Sequence, residues 1–226
     1  MTEIKPLVIY LHGFLSSPGS AKGRELREEA LASGWDFLAP DLNLSPREAD
    51  RLLTGLMDSI SEERRGRTLV LGSSLGGFYA LRLANRFALS AAAVNPCLNP
   101  WEFVAGQTGE REVYGTGRKV FVMDTFAGEL LALSREVPPR PRDPADALTL
   151  LSTADEVLDY RLPGKAPMGG AERARRLWSR PRSYPSATTT ECSASRAIFL
   201  TSEPSLKDGW RQKFGHNNAL RKFQSI

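Results

Sequence analysis

A chain of 226 residues, 41% hydrophobic and with a formal charge of +4, is long enough for one domain with a full core. It holds no apolar stretch long enough to span a membrane, and its N-terminus lacks the basic segment, apolar run and small-residue cleavage site of a secretory signal. Its two cysteines, Cys97 and Cys192, show neither zinc spacing nor a disulfide framework, so a reducing cytoplasm is the default expectation.

Taken in order, Pro6–Leu11 is a continuous apolar run and reads as a buried parallel strand. His12-Gly13-Phe14 ends it. Ser20–Ser33 reads as a polar-rich helix stopped by Gly34, and Phe37–Pro40 as a short strand. Ser45-Pro46-Arg47-Glu48 is a capping box with proline at the first helical position. The helix it starts carries Leu52, Leu53, Leu56, Met57 and Ile60 as its apolar stripe.

Thr68–Leu71 is again an apolar run of strand length. Gly72-Ser73-Ser74-Leu75-Gly76 follows with no room for a loop, and Leu75, Tyr79 and Leu83 then recur at helical spacing. Strand, abrupt turn and helix with G-x-S-x-G at the turn is the context a nucleophile elbow requires. Side chains two positions either side of the serine would collide, hence Gly72 and Gly76. Ser73 is the rival hydroxyl, but only Ser74 has glycine at both flanking positions. At the start of the new helix, the N–H of Leu75 and the helix dipole can stabilise an oxyanion. The competing reading is a plain Gly/Ser turn.

Ser90–Val94 is a further short apolar strand, closed by Asn95-Pro96. Residues 97–146 lose the strand–helix rhythm. They scatter Trp101, Phe103, Tyr114, Phe121 and Phe126 among glycines and charges, and read as a lid or insertion over the strand ends. Leu130, Leu131 and Leu133 suggest one helix within it. Leu148–Leu151 resumes the sheet. Strands alternating with helices argue an α/β fold with a mostly parallel sheet. In such sheets reactive groups gather at the carboxyl ends of the strands, where His12, Ser74, Asn95 and Asp155 are expected. Asp155 follows Ser74 in the order a triad acid requires, or simply caps a helix beginning near Glu156.

These pieces together resemble the small YqiA-type esterase family of the α/β-hydrolase superfamily. The resemblance rests on Tyr10-Leu-His-Gly-Phe-Leu-Ser-Ser-Pro18, Ser20-Ala-Lys22 and Gly72-Ser-Ser-Leu-Gly-Gly-Phe-Tyr79. Asn95-Pro-Cys-Leu-Asn-Pro-Trp-Glu-Phe103 and Asp155-Glu-Val-Leu-Asp-Tyr-Arg161 complete it. It implies an α/β-hydrolase sheet with helices on both faces and a Ser-Asp-His carboxylic-ester (or thioester) hydrolase. Ser74 would be the nucleophile and Asp155 the triad acid, ahead of Asp159 and Glu156. The main-chain N–H groups of Phe14 and Leu75 would form the oxyanion hole. The partner is a small-molecule ester, and neither metal nor cofactor is expected. His12 precedes the nucleophile, whereas this fold runs serine, acid, histidine; its expected role is to shape the loop that presents Phe14. Ala154, where relatives tend to have glycine, is one departure.

The match covers about residues 6–161, and residues 1–162 are read as the hydrolase domain. Beyond it the composition changes: residues 163–226 hold 12 Lys+Arg against 4 Asp+Glu, whereas residues 1–162 hold 18 against 22. Aromatic residues such as Trp178, Trp210, Phe214 and Phe223 fall among its basic ones without regular spacing, and nucleic-acid binding is the weaker expectation. The one histidine after Asp155 is His216, in Lys213-Phe-Gly-His-Asn-Asn218. The possible last strand, Ala197–Thr201, ends about 15 residues before it, too far for the tight turn such connections use. Shifting the reading frame back by one base, the code permits Gly-Asp-His from Ser186-Ala-Thr-Thr. It also permits a preceding apolar strand, Val-Val-Ala-Ala, from Leu177–Pro181. The stretch therefore reads either as a poorly ordered basic tail or as an out-of-frame translation that lacks the fold's last strand and helix. On the second reading the edge beside Leu148–Leu151 is expected to be unpaired.

Overall fold

The structure is a computed structural model, and it describes residues 4–142, 147–152, 188–192 and 197–201. Its first strand, β1 (Leu7–Leu11), is buried along its whole length. Leu7, Ile9 and Leu11 point into one hydrophobic cluster, and Val8 and Tyr10 into another. A strand apolar on both sides must be covered on both faces. α1 (Ala21–Ala32) covers one with Leu26 and Ala30. α2 (Pro46–Ser59) and α4 (Leu75–Phe87) cover the other with Leu53, Met57, Phe78, Tyr79 and Leu83. A short α3 (Glu62–Arg65) leads into the strand that begins at Thr68.

β2 (Asp36–Leu38), β1, β3 (Thr68–Ser73), β4 (Ser90–Val94) and β7 (Ala147–Ser152) lie side by side in that order, each pair parallel. This is the α/β-hydrolase arrangement the sequence implies. The capping box at Ser45 forms in full: the Ser45 hydroxyl accepts from the Glu48 N–H, and the Glu48 carboxylate accepts from the Ser45 N–H. One detail differs on α2. Leu52 faces solvent, and Ala49 takes its place in the buried stripe beside Leu53 and Met57. α2 and α4 are also joined through Arg82, which is buried and donates to Asp50 at 3.0 Å and to the Val137 carbonyl.

The edge of β7 is not open. β9 (Ala197–Thr201) pairs with it antiparallel, and β8 (Thr188–Cys192) pairs antiparallel with β9. The expected strand at Ala197–Thr201 therefore exists, but it runs against the parallel sheet. Antiparallel strands need no helical crossover, so this edge is filled without the strand–helix pair that the frame-shifted reading supplies.

Between β4 and β7 the chain forms α5 (Pro100–Val104), an antiparallel hairpin of β5 (Gly109–Glu112) and β6 (Lys119–Val122), and α6 (Thr125–Glu136). Leu130 and Leu133 of α6 are buried, as their spacing predicts. Leu131 is only half-buried. The insertion is tied down on two sides. Arg47 at the start of α2 donates its backbone N–H to Glu129 and pairs with Glu136 at 2.8 Å. Arg118 on the hairpin pairs with Asp41 at 2.6 Å. No helix among the described residues is long and apolar enough to cross a membrane.

Candidate active site

β3 runs straight into α4, and Ser74 is the single residue between them. It adopts φ 53° and ψ −118°, a conformation that costs a non-glycine residue about 1–3 kcal/mol and persists only when its surroundings impose it. Those surroundings are visible. The Ser74 N–H donates to Val94 O at 3.0 Å, and the Ser74 carbonyl accepts from Gly77 and Cys97 at 2.9 and 3.0 Å. The main chain of the bend is thus pinned by the end of β4. The Ser74 hydroxyl caps nothing and bonds to no other described residue.

The flanking glycines are required by contact. A Cβ on Gly72 would sit 2.1 Å from Gly76 O, and one on Gly76 would sit 1.9 Å from Leu11 O. The loop after β1 also comes close, though less tightly. A Cβ on Gly13 would lie 3.3 Å from the Ser74 Cβ, so Gly13 brings Phe14 alongside the elbow. Among the described residues, neither the Phe14 N–H nor the Leu75 N–H donates a hydrogen bond. Leu75 is the first residue of a 13-residue helix, so its N–H is one of the four that no helical carbonyl can satisfy. Three of the four non-glycine residues with positive φ, Leu15, Ser74 and Asn95, lie at or just beyond the carboxyl ends of β1, β3 and β4. Strain is concentrated on this side of the sheet.

His12 is 1% exposed and fully engaged. Its Nε2 accepts the Leu42 N–H at 2.9 Å, and its Nδ1 lies 2.9 Å from the Gly13 carbonyl. An accepting Nε2 assigns the proton to Nδ1, which donates to Gly13. The ring therefore clamps the Phe14 loop to the segment after β2, and has no nitrogen left to serve as a base for Ser74. Burial holds its pKa below the ordinary histidine value, against the opposing pull of the Gly13 carbonyl and Asp41. The unfolded chain takes up this proton near pH 6.5 while the folded chain resists it. Stability from the neutral ring is therefore complete above about pH 6.5, and is lost as pH falls from there toward the lower folded value. The expected result is that the urea-midpoint gap between wild type and His12→Gln narrows as pH falls below that point. A gap independent of pH would contradict this role.

Cys97 lies just past the bend. Burial pushes its thiol up to about 11, which disfavours the thiolate.

A cleft of about 310 Å³ opens beside the two free N–H groups, with Phe14 and Leu75 in its wall. Leu42 and Leu44 line one side. The insertion supplies the other through Val104, β6 and Phe126. Phe14 also packs edge-on against Phe103, with ring centroids 5.7 Å apart. Of the insertion's scattered aromatics, Phe121 and Phe126 reach the cleft, Trp101 and Phe103 pack on the core, and Tyr114 is 73% exposed. Sequence reasoning placed Tyr79 only in a helical core stripe. It also lines the cleft; a phenolic tip on a stripe otherwise made of leucines was the available signal. Asp155 and His216 lie outside the described residues, and no cluster of metal-ligating side chains occurs among the described ones.

Among known proteins, the family described as "Uncharacterised protein family (UPF0227)" matches residues 7–165. The UPF0227 protein YE1706 of Yersinia enterocolitica is 30% identical over 163 residues, covering 69% of this chain and 78% of the relative. A UPF0227 protein of Serratia proteamaculans is 29% identical over 164 residues, covering 69% and 79%. A solved structure described as belonging to "LipS and LipT, two metagenome-derived lipolytic enzymes" aligns with a TM-score of 0.50 at 19% identity, covering 69% of this chain and 75% of its own. At that identity the likeness is one of fold.

Proposed function

This chain belongs to the UPF0227 family, and we propose that its site is that of a serine hydrolase acting on carboxylic esters or thioesters. The observation that carries the reading is one juxtaposition. Ser74 is held at positive φ with its hydroxyl unbonded among the described residues, next to the Leu75 N–H and to the Gly13 turn that carries Phe14, and Phe14 and Leu75, whose N–H groups have no described acceptor, both line an apolar cleft. Ser74 Oγ attacks the acyl carbonyl. The oxygen that becomes negative is met by the N–H groups of Phe14 and Leu75 at the positive end of α4. Such a donor is commonly worth about 10²–10³ in rate. The tetrahedral adduct collapses, the alcohol or thiol leaves, and water releases the acid from the acyl-enzyme. Asp155 is assigned as the triad acid, by family resemblance and by its place after Ser74. The apolar walls favour an apolar acyl group.

A second reading has its own support. A serine nucleophile needs a base within hydrogen-bond reach. The one histidine among the described residues, His12, has both nitrogens occupied. On this reading the chain is a catalytically impaired, hydrolase-like binding module. Incubation with a fluorophosphonate probe separates the two. Labelling at Ser74 supports an activated nucleophile, and silence in a folded protein supports the module.

The missing base ties this question to the basic C-terminal stretch, which we take to be translated out of frame. The family match ends at residue 165, close to where composition turns basic. Resequencing the gene across codons 162–180 is expected to reveal a single-base insertion or deletion. Correcting it should restore an apolar strand followed by Gly-Asp-His. If no such change restores that pattern, the frame-shift account fails and His216 becomes the residue to test as base.

A further inference from the structure

The cleft is apolar except for five polar side chains, and four of these are already committed. Both nitrogens of His12 are used. The Asn43 amide donates to Ser16 O and Asp41 Oδ1, each at 2.7 Å. Ser45 and Glu48 are bound to one another through the capping box. The fifth is Tyr79, 2% exposed, whose hydroxyl makes no hydrogen bond among the described residues. A buried tyrosine ordinarily finds a partner for its O–H, and an unpaired one calls for an explanation. It is not a sealed defect. The fully enclosed polar atoms without partners, among the described residues, are Arg64 Nε and Arg82 Nε. Tyr79 lines the cleft, so the cleft is the space open to its side chain.

Tyr79 follows Leu75 by four residues and shares its face of α4. The helix rises about 1.5 Å per residue, so the phenol's own residue lies about 6 Å further along the cleft wall than the Leu75 oxyanion donor. A group held at the Phe14 and Leu75 N–H groups and extending along this wall passes the phenol. We propose that Tyr79 is a specificity-determining residue, selecting acyl groups that carry a hydrogen-bond-accepting oxygen, such as a keto or hydroxyl oxygen, part-way along an otherwise apolar chain. Burial raises the phenol's pKa, so it is a donor throughout the working range. An unbranched alkyl chain in the same place leaves this donor unpaired, and a buried site built around a donor discriminates against analogues that lack its acceptor.

The proposal rests on the cleft being the acyl site, but its test needs no chemistry. The full chain is titrated calorimetrically with octanoate and with its positional oxo isomers, as free acids. At least one oxo isomer is expected to bind about tenfold more tightly than octanoate, and Tyr79→Phe is expected to remove that preference, with octanoate binding at least as tightly as to the wild type because no donor is left unpaired. Equal binding of every isomer by the wild type, no binding of any acid, or a preference that survives Tyr79→Phe would each overturn it. Fluorophosphonate labelling of Ser74 is measured on the same samples. Labelling without the oxo preference sinks this proposal and spares the hydrolase reading. The preference without labelling does the reverse.

Discussion

Gly76→Ala is expected to leave the protein unfolded or insoluble, whereas Gly55→Ala in α2 is expected to leave it folded and slightly stabilised. The added atom is the same methyl group in both. At Gly76 it would lie 1.9 Å from the Leu11 carbonyl oxygen, 2.5 Å from the Leu11 carbonyl carbon and 2.7 Å from the His12 carbonyl oxygen. All three are main-chain atoms of the end of β1 and the start of the Phe14 loop, so no side-chain rotation relieves the clash. β1 would have to leave β3, to which it is paired from Leu7 through Leu11, or α4 would have to lift from the sheet with Phe78, Tyr79 and Leu83. Either movement opens the larger hydrophobic cluster, where each large side chain contributes about 1.5–3 kcal/mol by burial. The loss exceeds what a domain of ordinary stability, about 5–15 kcal/mol, can sustain without partial unfolding. At Gly55 nothing lies within 4 Å of the added atom, and an alanine in a helix interior gains about 1 kcal/mol over glycine. Soluble yield and urea midpoint of the two variants check this. A folded Gly76→Ala protein with a near-normal midpoint would mean that α4 does not enter as tightly as described.

The same contact explains how much of the site could be read in advance. A motif of two glycines flanking a serine between an apolar run and a helical stripe leaves little geometric freedom, so β3, Ser74 and α4 were legible from residues 68–84 alone. So were β1, β4 and the capping box of α2, whose signals are local. The hairpin was not. Gly109-Glu110-Arg111-Glu112 has no apolar alternation, because its outer face meets solvent. The inner face of β6 offers only Val120 and Val122, too short a period to count. Chain order argues against His12 as the base, and both of its ring nitrogens are engaged. Its true partner, the Leu42 N–H, lies 30 residues away and no spacing rule points to it. At the β7 edge the strand at Ala197–Thr201 is legible in the sequence, but β8 and the antiparallel pairing are not, for a related reason. Thr188–Cys192 has strand propensity but no buried-strand pattern, and pairing direction is a property of topology rather than of either strand's composition.

Ser74 separates function from stability, and two substitutions there are expected to diverge. Ser74→Ala and Ser74→Gly should both abolish fluorophosphonate labelling and lower any ester hydrolysis by at least about 10³-fold, toward what an oxyanion hole alone retains. Their stabilities should differ. Alanine keeps the Cβ and therefore the strain of φ 53°, ψ −118°, so its urea midpoint should stay near that of the wild type. Glycine reaches this conformation without the steric cost of about 1–3 kcal/mol, while giving back about 0.5–1 kcal/mol of unfolded-chain entropy. The net expectation is a Ser74→Gly protein about 1 kcal/mol more stable than wild type. The bend is held by backbone bonds to Val94, Gly77 and Cys97, none of which uses the serine side chain, so neither variant should disturb its shape. The pairing matters because the two outcomes are independent. A stability gain on Ser74→Gly supports the strained elbow even if the chain lacks its base and never labels. Labelling that persists in Ser74→Ala would instead move the nucleophile elsewhere, with Ser73 first in line. A chain that spends stability to hold one hydroxyl unbonded to every described residue has the construction expected of a nucleophile, and a glycine that restores this stability while removing the hydroxyl would measure that cost directly.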